Sequence, residues 1–142
     1  MVCEDCGARF SDEGDSCAQR FEVLLALDHS HQEPWGSRHG LAFAVFVLQH
    51  PGRYETATAA RAYEFLMRVF ERGETLDYVV RDLRARGRGG ADTDYHPPTR
   101  GAEPFPVTIA DLGEFAASEY AVDLDRWCRS TVHHLRSGAR SA

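Results

Sequence analysis

Ser37-Arg-His-Gly-Leu-Ala-Phe-Ala-Val-Phe-Val-Leu-Gln-His50 is the stretch whose conformation decides the fold. Its middle, Leu41 to Leu48, is an unbroken apolar run of eight residues, a pattern that periodicity alone reads equally as a buried strand or a buried helix. Two alanines within it, and 14 uninterrupted residues before the stop at Pro51-Gly52, exceed a typical strand and favour a helix. A helix apolar on every side belongs in the middle of a bundle.

Outward from this centre, the flanking segments also read as helices. Ser16 is a plausible cap for a helix running to about His29, in which Phe21, Leu24 and Leu25 fall together and Asp28 follows. Pro34-Trp35-Gly36 has the composition of a chain reversal. After Pro51, Thr56 or Thr58 caps a third helix with the stripe Ala62, Phe65, Leu66, Val69 and Phe70, and Gly73 supplies its terminator. Thr75 caps a fourth from Leu76 to Arg86, with Leu76, Val79, Val80 and Leu83 inward. Thr108 opens a short fifth, on which Ile109, Leu112, Phe115 and Ala116 share a side, and a last begins near Asp123, with Leu124, Trp127, Cys128, Thr131 and Leu135 on one face. The expectation is an all-α protein, one domain over residues 1–142, built as a compact bundle of about six short helices behind an N-terminal cysteine-bearing knuckle at 1–15. Residues 87–106, rich in glycine and proline, are too long for a routine connector and read as a functional flap or an excursion from the fold.

Composition narrows the function classes. With 43% hydrophobic and 27% charged residues over 142 positions the chain is an ordinary globule, and no apolar run approaches the roughly 20 residues of a membrane span. The first residues hold acids and cysteines where a secretory leader places a basic cap and an apolar core, so the expected compartment is the cytoplasm. All 16 basic residues are arginine, the mark of a GC-rich bacterial coding bias, and the absence of lysine removes Schiff-base and phosphate-loop lysine chemistry. A formal charge of -6 argues against a broad nucleic-acid surface. Arg61, Arg68, Arg72, Arg81, Arg84, Arg86 and Arg88 do concentrate positive charge that could meet phosphate, but such arginines more often coat a helix and pair with neighbours such as Glu71, Glu74 and Asp82.

The chemical signal lies at the start. Cys3-Glu-Asp-Cys6-Gly7 puts two thiols three positions apart on a tight turn, where both can face one tetrahedral ion, and the glycine lets the loop double back. Cys17 opens the first helix, where the helix dipole favours its thiolate. His50 and His39 compete for the fourth place. In an antiparallel hairpin of the first two helices, the start of one meets the end of the other, which brings His50 to Cys17. His39, 11 residues earlier, lies roughly 16 Å away along the helix. Cys3, Cys6, Cys17 and His50 are therefore the predicted ligands of one Zn2+, closed to substrate and structural in type. The competing readings are a Cys3–Cys6 redox dithiol, which no preceding strand supports, and unligated thiols. Cys128, on the apolar face beside Trp127, reads as a small buried hydrophobe. His39, with His29 and His31 nearby, reads first as part of a solvent-facing junction and second as a metal or proton-transfer group.

Cys3-x-x-Cys6-Gly7-Ala8, the Cys17 to Leu27 segment, His39-Gly-Leu, Leu48-Gln-His-Pro51, Thr108-x-x-Asp111 and the Trp127 segment together resemble a family of small bacterial proteins of unknown function, common in actinobacteria. The likeness covers nearly the whole chain. It implies the same ligand set and a bacterial origin, and carries no activity; members often place a second histidine where this chain has Gly40. The expected function is a zinc-stabilised module that engages a small molecule or a protein partner, through the cleft near His39 or the long loop. The runner-up is a zinc-dependent hydrolase, in which the metal keeps a water and Glu4, Asp5 or Glu55 carries a proton.

Overall fold

The computed structural model describes residues 1–87, 93–98 and 103–141. Five α-helices follow in order: α1 (Cys17–His29), α2 (His39–Gln49), α3 (Thr56–Phe70), α4 (Leu76–Arg86) and α5 (Tyr120–Ser141). Single 3-10 turns occur at Gly36–Arg38, Pro51–Arg53 and Ile109–Leu112. Among the described residues β pairing is limited to one isolated bridge, Val2 with Arg9.

The apolar run forms the central helix. From Leu41 to Gln49 every residue of α2 but Phe43 is buried. Helix α3 packs along it, and α5 and α1 take its other sides. Leu66 from α3, Leu24 from α1, and Tyr120, Leu124 and Trp127 from α5 are all essentially inaccessible in the shared core. Truncating a residue such as Trp127 to alanine there costs about 3–5 kcal/mol. Gln49 ties the layers with polar bonds: its Nε2 donates to Val107 O at 2.8 Å and to Thr131 Oγ1 at 2.9 Å.

Three local expectations change. The segment after Thr108 is one 3-10 turn and not a helix: Thr108 and Asp111 close a full capping box, and the chain then leaves helical space at Gly113 (φ 59) and Phe115 (φ 61). Among the described residues the bundle thus has five α-helices where the sequence predicts about six. Helix α3 starts a step earlier than either threonine cap implies, with Glu55 in extended geometry as N-cap and no side-chain bond, because the turn at Pro51–Arg53 has already redirected the chain. Helix α5 begins at Tyr120, whose N–H donates to Ala116 O at 2.9 Å, not at Asp123. Of the long 87–106 segment, 88–92 and 99–102 lie outside the described residues.

Arg68 of α3 and Arg86 of α4 meet acids. Arg68, 8% exposed, donates to Glu64 at 3.0 Å, Asp82 at 2.6 Å and Glu74 at 2.8 Å, and Arg86 also pairs with Glu64. Arg61 donates to Leu83 O at 2.9 Å, and Arg72 to the Tyr95 hydroxyl at 2.8 Å. Arg61, Arg68 and Arg86 tie α4 to α3.

Candidate metal centre

The first ten residues double back as a miniature hairpin. Phe10 N–H donates to Met1 O at 2.9 Å, Cys3 N–H to Ala8 O at 2.8 Å, and Gly7 N–H to Cys3 O at 2.9 Å, so Cys3 and Cys6 flank one tight turn. Gly7 is required twice. Its φ is +85, and a Cβ there would lie 2.3 Å from Pro104 Cβ. The same returning segment pins the turn from outside, for Phe105 N–H donates to Cys6 O at 3.0 Å.

The other two groups come from helix ends. Cys17 is the first residue of α1, behind Ser16, whose hydroxyl accepts from Gln19 N–H at 3.2 Å. His50 caps α2 in non-helical geometry (φ -134, ψ 52), and its backbone N–H still donates to Phe46 O. Its Nδ1 lies 2.9 Å from Phe46 O, which accepts a hydrogen bond only if that nitrogen carries the proton. The lone pair is then on Nε2, which is buried and has no protein hydrogen-bond partner. Phe46 stacks on the imidazole at 4.1 Å between ring centroids, and Phe21 on Phe46 at 4.0 Å, so the ring is held from the side.

One ligand atom from each of Cys3, Cys6, Cys17 and His50 falls in a group whose members all lie within 4.8 Å of one another. Cys6 Sγ and Cys17 Sγ are 3.5 Å apart. Sulfurs on one tetrahedral zinc stand about 3.8 Å apart, given a Zn–S bond of about 2.3 Å, so the cluster has the dimensions of a metal cage. Cys6, Cys17 and His50 are buried and Cys3 is half-buried. The hydrogen bond from Cys17 holds the Cys6 thiol down to about 4, against the opposing effect of burial. The same bond, with burial, pushes Cys17 far up. The two sulfurs thus form one hydrogen-bonded pair, in a position where a cation can take the place of the proton. The residues fit the metal that their types imply, and these four could hold such an ion.

His39 is placed elsewhere. At the far end of α2 its Nδ1 lies 2.9 Å from Asp28 Oδ2, and the buried Asp28 raises its pKa through that bond. Its ring lies 5.8 Å from that of His29 and 6.4 Å from Phe43, between centroids. Gly40 beside it is the place where Phe65 packs, for a Cβ there would lie 2.9 Å from Phe65 Cε2. Cys128 is wholly buried, and burial pushes its thiol well up, as suits a small apolar side chain. Of the acids considered as proton carriers, Asp5 pairs with Arg53 at 3.4 Å, Glu4 is exposed, and Glu55 is the N-cap of α3. His134 packs its ring 4.9 Å from that of Phe105.

Two participants escape a reading of the sequence. Asp28 is one: its side chain is 1% exposed, and a carboxylate four positions after Leu24 on the buried face of α1 was the available signal. The Pro104–Phe105 clamp on the knuckle is the other, and no local pattern announces it. Among the described residues no helix is long and apolar enough to cross a membrane. No curated protein and no solved structure matches the chain. A family model does match residues 1–136, nearly the whole length, and the chain therefore belongs to DUF5946, a family of unknown function.

Proposed function

We propose that Cys3, Cys6, Cys17 and His50 bind one Zn2+ of the structural type, and that the protein is a cytoplasmic bacterial binding module whose fold this ion completes. The observation that carries the reading is the buried imidazole of His50, one nitrogen of which lies within 4.8 Å of three sulfurs while its Nε2 has no hydrogen-bond partner. A buried polar atom left without a partner costs about 1–3 kcal/mol, and coordination removes that penalty. Three sulfurs and one imidazole fill a tetrahedral shell, and thiolates select zinc over harder cations. The closed form is favoured over a hydrolytic one because His50 is fully buried and held at Nδ1 by the Phe46 carbonyl, which leaves it no freedom to yield its place to water. With the ion in place the N-terminal hairpin, α1 and the end of α2 share one anchor. What the module binds, a small molecule or a protein partner, would then be met by faces held rigid by that anchor, the His39 end of α2 foremost.

The test is elemental analysis of the untagged protein beside Cys6→Ser, Cys17→Ser and His50→Ala. The expected result is one zinc per chain, lost in each variant together with thermal stability. Full-length protein that is folded, metal-free and unaffected by zinc overturns the proposal. Zinc retained by all three variants does the same.

A further inference from the structure

The His39 end of α2 carries a second constellation that the zinc cluster does not use. Asp28 is buried at the end of α1, and its Oδ2 accepts a hydrogen bond from His39 Nδ1 at 2.9 Å. The bond fixes the ring so that Nε2 is turned away from the carboxylate. The His39 side chain is 43% exposed, so this nitrogen belongs to a ring open to solvent. A buried carboxylate behind the first nitrogen of an imidazole is the arrangement that orients histidines for metal and raises their basicity. His29, exposed at the last position of α1, stands with its ring 5.8 Å from that of His39 and tilted by 41°. Two imidazoles on one tetrahedral ion have ring centres about 5 Å apart, since each nitrogen lies about 2.0–2.1 Å from the metal. The observed 5.8 Å between ring centres exceeds that spacing by less than about 1 Å, and His29 is an exposed side chain free to change rotamer.

We propose that His29 and His39, with Asp28 as the positioning residue behind His39, form a second, solvent-facing seat for a divalent transition metal of the imidazole-preferring class. Two protein ligands leave the other positions to water or to an incoming group, so this ion is exchangeable where the thiolate-bound one is enclosed. The seat stands independently of the zinc proposal: it shares no residue with the cysteine cluster and lies at the opposite end of α2.

The probe is Ni2+, titrated calorimetrically into untagged, zinc-saturated protein and into His29→Ala, His39→Ala and Asp28→Asn. His29 is exposed and His39 half-exposed, so those two variants are expected to fold, which circular dichroism checks. The expected result is one Ni2+ per chain beyond the zinc, weakened at least tenfold by His29→Ala and by His39→Ala, and by about 10–100-fold in Asp28→Asn. Absence of Ni2+ binding by the wild type overturns the proposal. So does binding that either histidine variant leaves unchanged, since the ion is then held by thiols or by other histidines.

Discussion

Helix α2 carries a histidine at each end, and the two ends differ in almost every physical respect. His50 is fully buried, its ring stacked on Phe46 and grouped with three sulfurs. His39 is open to solvent on one side and leans on a buried carboxylate on the other. The first end is closed by chain returning from three places: the N-terminal hairpin, the start of α1 and the segment at Pro104–Phe105. The second is bordered by the end of α1. Residue type alone thus says little about role. What distinguishes the histidines is which elements converge on them and whether the nearby anion is a set of sulfurs or a single carboxylate.

The largest contrast is expected between His50→Ala and His39→Ala. Loss of a structural zinc removes free energy worth several kcal/mol, so His50→Ala should lower the melting temperature by about 10 °C or more, and chelation of the wild type should reproduce that fall. His39→Ala should cost about 1 kcal/mol or less and keep the zinc, because it removes one hydrogen bond from a half-exposed ring. Comparable losses in both would break the distinction.

Gly7→Ala tests the closed end from outside. Left-handed backbone for a residue with a Cβ, and the collision with Pro104, each cost about 1–3 kcal/mol. The variant should melt lower and bind zinc more weakly, while Ni2+ binding at the His39 end stays as it was. Unchanged zinc affinity would show that the 104–105 clamp does not support the knuckle.

A third region serves as a reference for acid effects. Burial raises the Glu64 pKa, but hydrogen bonds from Thr93, Arg86 and Arg68 outweigh it and leave the carboxyl below its usual range. Arg68 likewise lowers Glu74 and Asp82. Carboxylates with lowered folded pKa values contribute stability that is complete above the unfolded value and is lost as pH falls through the folded one. Arg68→Met should therefore destabilise most at neutral pH, by about 2 kcal/mol. This is less than the ~3–5 kcal/mol for a dry pair, because Arg86 still faces Glu64 and Asp82 is open to solvent. Its deficit should shrink below the ordinary carboxylate pKa of 4.5. Denaturation midpoints from pH 7 to 3, with and without chelator, separate this slope from acid release of zinc. A deficit that grows on acidification would contradict the assignment.

The sequence announces the closed end far better than the open one. The apolar run of α2 needs no partner to be recognised as central, and the spacing of Cys3, Cys6 and Cys17 with a helical hairpin leads to His50 from local rules. The cap at Thr75, the stop at Gly87 and the inward face of α5 are equally local. Asp28 was not legible as a partner of His39, because a lone acid among apolar positions acquires meaning only when α2 folds back on α1. The single turn after Thr108 defeated the helical pattern for a related reason: Phe115 is buried by a left-handed backbone step, and not by the face of a helix. The docking of Pro104 on Gly7 joins residues far apart in sequence through tertiary path alone.

Zinc-edge X-ray absorption on the purified protein addresses the cage most directly. Three sulfurs at about 2.3 Å and one nitrogen at about 2.0–2.1 Å are the expected shell, with the nitrogen lost in His50→Ala and retained in His39→Ala. A shell of oxygen and nitrogen without sulfur, or one that keeps its nitrogen when His50 is removed, would contradict a thiolate cage closed by His50.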